Sequence, residues 1–160
     1  MSAMFDKLKA LGYRRHVESD HYTPETLANL SSIIERPVPE EFIRFLTKFP
    51  ETGSFECDVQ AFGLEQAPGI KNKSYDINII YANCSIIHLD LLNIYENIPK
   101  EFKNYLIISH DLFANSFAID LNPGEFGKVK YKSTEEDWDG RLYLVANDFE
   151  SFILGLQSSD

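Results

Sequence analysis

A chain of 160 residues with 44% apolar side chains can fill one hydrophobic core, and dividing it into two domains would leave each short of apolar surface. The formal charge of -10 is uneven, with 12 acids against 9 bases in residues 1–80 and 13 against 6 in residues 81–160. Like charge repels phosphate backbones, and no Lys/Arg cluster interleaved with aromatics offsets it, so the composition argues against nucleic-acid binding and permits a basic protein partner.

Met4, Phe5, Leu8 and Leu11 mark one face of a short amphipathic helix, with Gly12 placed to end it. Asp6, Lys7, Lys9, Arg14 and Arg15 break any signal or membrane segment here, so a cytoplasmic protein is expected. Tyr13 to Tyr22 reads as a connector, and its His16 and His21 share no regular face. Thr23-Pro24-Glu25 then supplies a capping hydroxyl, a proline at the first helical position and an acid near the positive helix end. Leu27, Leu30, Ile33 and Ile34 form the buried stripe expected of that helix. Pro37 and Pro39 stop it. Pro39-Glu40-Glu41 opens the next helix, where Phe42, Phe45, Leu46 and Phe49 keep helical spacing and the paired acids serve the dipole.

From Phe55 the period falls to two: Phe55, Cys57, Val59 and Ala61 alternate with Glu56, Asp58 and Gln60, as in a strand with one wet face. Gly63 to Ser74, with Pro68-Gly69, reads as a loop. Ile77, Ile80, Tyr81, Cys84 and Ile87 favour a helix, although their β-branched content also suits a buried strand. Leu91, Leu92 and Tyr95 continue it or begin a second helical piece before Pro99. Strands are expected at 105–109, 116–121, 127–132 and 141–146, joined by short loops such as Asn122-Pro123-Gly124 into an antiparallel meander. A final helix follows, with Asn147 as its cap, Glu150 three residues on, and Phe149, Phe152, Ile153 and Leu156 on the face that packs on the sheet. The fold class is therefore α+β, in one domain spanning 1–160.

Cys57 and Cys84 are too few for a disulfide framework and lack zinc-site spacing, so both read as reduced thiols. The N-x-S matches at Asn29, Asn72 and Asn83 carry no weight without a secretory signal. Phosphate-binding glycine loops, zinc-protease helices and nucleophile elbows are absent from the sequence. His88, His110, Asp111 and Asp120 are the side chains with which a divalent ion would have to be held, but Asp111 is better explained as a cap on its own turn. The sharper signal is Glu135-Glu136-Asp137-Trp138-Asp139, where the chain's single tryptophan stands among acids between two expected strands. A large apolar anchor with a charged rim is the composition of a protein interface, in which acids would take the place of the phosphates that a basic nuclease contacts; a solvated loop whose Trp138 folds back on the core has the same composition.

The order of elements resembles the SUKH superfamily, whose members include bacterial immunity proteins and a fungal regulator of cell-wall synthesis. Ile33 to Phe49, with Pro39, Phe42, Phe45 and Leu46, is similar to that family's helix leading into a proline-initiated helix. Leu106 to Leu121, with Asp111, Asn115, Phe117 and Asp120, is similar to its strand, acidic turn and strand. Gly127-Lys128-Val129-Lys130-Tyr131 matches its Gly-x-Val-x-Tyr strand, and Trp138 and Val145 to Leu156 stand in for its closing part. The chain departs from the pattern at Phe49 to Gly53, where the family carries an Asn-Gly pair, and at Leu112-Phe113-Ala114, which replaces a glycine-rich turn. The resemblance implies neutralisation of a toxin by stoichiometric binding without cofactor; the acidic charge adds a basic toxin domain to that expectation, the missing catalytic motifs add the absence of enzymatic activity and of a metal, and a monomer or weak homodimer is expected. A regulatory or scaffolding module of the same fold is the alternative it leaves open.

Overall fold

The computed structural model describes residues 2–17, 27–135 and 140–159. Helix α1 (Ala3–Ala10) begins where the Ser2 hydroxyl accepts the Met4 amide at 3.2 Å, and it buries Met4 and Leu8. Gly12, at φ 70°, takes the left-handed turn that ends it. The expected cap at Thr23 lies outside the described residues. Helix α2 (Leu30–Ile34) starts after Asn29 and closes on Glu35 in the left-handed region, at φ 58°. Leu27 and Leu30 are buried as expected, but Ile33 is 47% exposed, because the helix ends one residue later and no further turn covers it.

Helix α3 (Glu40–Lys48) opens after Pro39 with both acids in its first turn and buries Phe42, Phe45 and Leu46 completely. Its aromatic face meets helix α5 (Phe149–Leu154), with the Phe149 ring 4.9 Å from Phe42 and 5.1 Å from Phe45. The cap of α5 is Asp148, whose carboxylate accepts the Ser151 amide at 2.7 Å, one residue after the expected Asn147. Acceptor reach to the third helical amide decides the position, and Asp148 has it.

The sheet is an antiparallel meander of β1 (Arg14–Arg15), β2 (Gly53–Phe62), β3 (Ser74–Ile80), β4 (Tyr105–His110), β5 (Ser116–Asp120), β6 (Val129–Lys132) and β7 (Tyr143–Ala146), in that order. A last strand, β8 (Gln157–Ser158), pairs with β2 on the edge that β1 also uses. The connector expected after Gly12 thus contributes β1. The expectation of a helix near Ile77 is overturned, since Tyr75, Ile77 and Ile79 are buried and alternate with the less buried Asp76 and Asn78 in β3. Pairing to β2 and to β4 on its two sides settles what apolar spacing leaves ambiguous. Helical structure resumes with a 3₁₀ turn at Ile87–Leu89 and helix α4 (Leu91–Asn97), capped by Asp90 through the Asn93 amide. The loop from Gly63 is as expected, and its shape depends on Tyr75, whose buried hydroxyl donates to the Glu65 carbonyl at 2.6 Å and accepts the Ala67 amide at 3.0 Å. One contiguous core runs from Met4 to Leu156, between the helices and the inner sheet face. Neither Cys57, half-buried, nor Cys84, buried, is in a disulfide.

Candidate functional site

The β4–β5 hairpin carries its two largest loop side chains outward. Asp111 stands at the end of β4, 6% exposed, and its carboxylate collects three donors of its own loop: the Phe113 amide at 2.8 Å, the Asn115 amide at 3.0 Å and the Asn115 side-chain amide at 2.9 Å. This is the local capping role expected of Asp111, and it fixes the turn. Ala114 completes the turn at φ 63°, a conformation with a steric cost for a residue with a Cβ. Between these pinned positions Leu112 and Phe113 are 77% and 76% exposed.

Asn115 also reaches the next connection. Its side-chain oxygen accepts the Thr134 amide at 2.9 Å, so the turn leading to Glu135 is hung on the hairpin tip. Glu135 is exposed there, with its amide donating to the Ser133 hydroxyl at 3.2 Å. Of the acidic segment singled out in the sequence, Glu135 is described, whereas Glu136, Asp137, Trp138 and Asp139 lie outside the described residues. Two of the clefts along the hairpin tip are lined by more than one carboxylate. Leu112 shares one, of about 250 Å³, with Asp58 and Asp76; Phe113 shares the other, of about 380 Å³, with Asp76, Asp111 and Glu135. No Lys or Arg lines either cleft among the described residues. Burial first, then the carboxylates of Asp111, Asp76 and Glu135 together with Tyr75, pushes the Tyr131 phenol up to about 12.

Of the side chains considered for a metal ion, His88 is exposed, and Asp111, Asp120 and His110 have other partners. Asp120, 1% exposed, accepts the Asn122 amide at 2.9 Å and the Lys130 ammonium at 2.9 Å. Lys130 also reaches Glu125 at 3.1 Å. Burial works against the Lys130 charge, and the hydrogen bonds and charges of Asp120 and Glu125 outweigh it, so its pKa is raised. His110 meets the Tyr81 hydroxyl, and burial, only partly opposed by Asp111, lowers its pKa. Among the described residues no group of three or more His, Cys, Asp or Glu is arranged to hold a metal ion. His16 is on the surface, 3.1 Å from the Ser54 hydroxyl, and His21 lies outside the described residues.

Sequence reasoning passed over Leu112 and Phe113, which it counted only as a departure from a glycine-rich turn. The available signal was two consecutive large apolar residues directly after a turn-forming aspartate, where polar residues are the norm. Among the described residues no helix is long and apolar enough to cross a membrane. No curated protein matches the chain. The model of the SMI1 / KNR4 family (SUKH-1) matches residues 22–155, from before α2 through α5. The α+β architecture and this match over most of its length together establish that the chain belongs to the SMI1 / KNR4 family (SUKH-1).

Proposed function

We propose that the chain is an immunity-type binding protein that neutralises a basic toxin domain, of which a nuclease is the fitting kind, by one-to-one association in the cytoplasm. It acts without cofactor and without catalysing a reaction. The observation that carries this reading is the row of carboxylates Asp58, Asp76, Asp111 and Glu135 along clefts whose described lining has no lysine or arginine, continued in sequence by Glu136, Asp137 and Asp139. Such a surface attracts the cationic groups with which a nuclease holds phosphates, accelerates encounter, and occludes the substrate site once docked. Membership in a family associated with protein interaction supports the same reading.

The test is affinity capture from native lysate at low and moderate salt, with identification of what is retained and native mass spectrometry of the complex. A basic protein with a toxic domain, bound one to one and released by charge reversal of Glu135 to Asp139, supports the proposal. Retention of housekeeping proteins alone points instead to a regulatory or scaffolding module of the same fold.

A further inference from the structure

Among the described residues Leu112 and Phe113 are the most exposed large apolar side chains, ahead of the other consecutive pair, Ile86 and Ile87, at 37% and 69%, and they are held on a turn pinned by hydrogen bonds to Asp111. Solvent exposure of such a pair contributes nothing to the fold, and three bonds to Asp111 together with the left-handed Ala114 keep it outward. A preorganised apolar pair loses little conformational entropy on docking, which is the property of an interface anchor.

The rim identifies the occupant. Carboxylates of Asp58, Asp76, Asp111 and Glu135 share the two clefts with the pair. Lys132 stands opposite Ser116 in register, and its ammonium donates to the Ser133 carbonyl at 3.2 Å. A second copy of this chain would bring the same acids against themselves, on a molecule already at -10, so self-association through this face is opposed by charge.

Resting on the protein-binding reading above, we infer that Leu112 and Phe113 are the apolar anchors of the interface. They insert into an apolar pocket rimmed by Lys and Arg on a folded basic partner. The acids then form the polar rim around the anchors, steering approach and setting orientation while the anchors carry most of the affinity.

The experiment compares wild type, the double variant Leu112→Ser with Phe113→Ser, and the control Ile87→Ser, which removes a 69% exposed side chain that lines neither cleft. The probe is the basic protein that wild type retains from lysate, purified and titrated by calorimetry, with circular dichroism and sedimentation of each variant alongside. The double variant is expected to fold as wild type and to bind about 50-fold or more weakly, with the control unchanged. Equal binding by the double variant overturns the anchor assignment and leaves the protein-binding function standing. Failure of wild type to retain any basic protein overturns that function, and the anchor assignment with it. A wild-type dimer that the double variant splits makes the face a self-contact and also overturns the inference.

Discussion

Glu65 and Leu144, far apart in sequence, are joined by two hydrogen bonds: the Glu65 carboxylate accepts the Leu144 amide at 2.7 Å, and the Leu144 carbonyl accepts the Glu65 amide at 2.9 Å. The loop after β2 thereby covers the edge strand β7, whose other side pairs with β6, and it blunts an edge that would otherwise offer itself to further strands. Arg141 adds an exposed ion pair to Glu65 at 2.9 Å, which contributes little.

Glu65→Ala leaves the Leu144 amide without its acceptor and is expected to destabilise the protein by about 1 kcal/mol, measured by urea denaturation at neutral pH. The pH dependence has a definite sign. The Leu144 amide foremost, against opposing burial and with help from Arg141 and Lys130, holds the Glu65 carboxyl below its ordinary range. Its contribution is present above the unfolded carboxylate value of about 4.3 and is lost as pH falls through the lower folded value. The gap between wild type and Glu65→Ala should therefore stay constant from pH 7 to about 5 and shrink below about 4. A gap that widens on acidification would contradict the assignment.

Asp120 and Lys130 should behave as a coupled pair. Lys130→Met strands a carboxylate that is 1% exposed, and the backbone and side-chain amides of Asn122, which both donate to it, do not replace the lost cation. A loss of about 2–4 kcal/mol is expected, with part of it recovered in the double variant Asp120→Asn with Lys130→Met. Additive losses in that cycle would show that the two side chains act independently.

Gly53 lies under the Tyr13 ring at the start of β2. A Cβ there would stand 2.5 Å from the Tyr13 hydroxyl and 2.8 Å from the Arg14 carbonyl, so ring and backbone must both shift. Gly53→Ala is expected to cost about 1–3 kcal/mol and to weaken β1 pairing, visible as faster amide exchange at His16, whose amide donates to Thr52 in wild type. Gly69→Ala, where a Cβ meets nothing within 4 Å, bears only the strain of its positive φ and separates crowding from backbone conformation.

Asp111 sets the hairpin tip. Asp111→Ala removes the acceptor of two loop amides and is expected to destabilise by about 1–3 kcal/mol. Asp111→Asn retains an acceptor for those amides but turns a donor toward the Asn115 side-chain amide, so it should fall between the two in stability. A Tm order other than wild type, Asn, Ala would contradict the turn geometry.

Where periodicity coincided with burial on one face, the sequence was a sufficient guide. Phe42, Phe45 and Leu46, or Val59 and Ala61, lie inside because one repeat fits one element. Tyr75 to Ile80 resisted that reading, since isoleucines at close spacing satisfy helix and strand alike and the strand is decided by neighbours on both sides. The two-residue strands β1 and β8 exist through pairing with β2 and carry too little pattern to be seen locally. At the candidate site the capping role of Asp111 was legible from its position before a turn. The joining of Thr134 to Asn115, which sets Glu135 in the cleft beside Phe113, is a contact across 19 positions that spacing does not reveal.

In the proposed function the acidic face silences a basic partner by occupying it. The most direct measurement is titration of the purified partner's toxic activity with this chain at fixed moderate salt. Activity falling linearly to zero at one equivalent, and returning as salt is raised, is the predicted result. Activity that persists when the complex is fully formed would contradict neutralisation by occupancy.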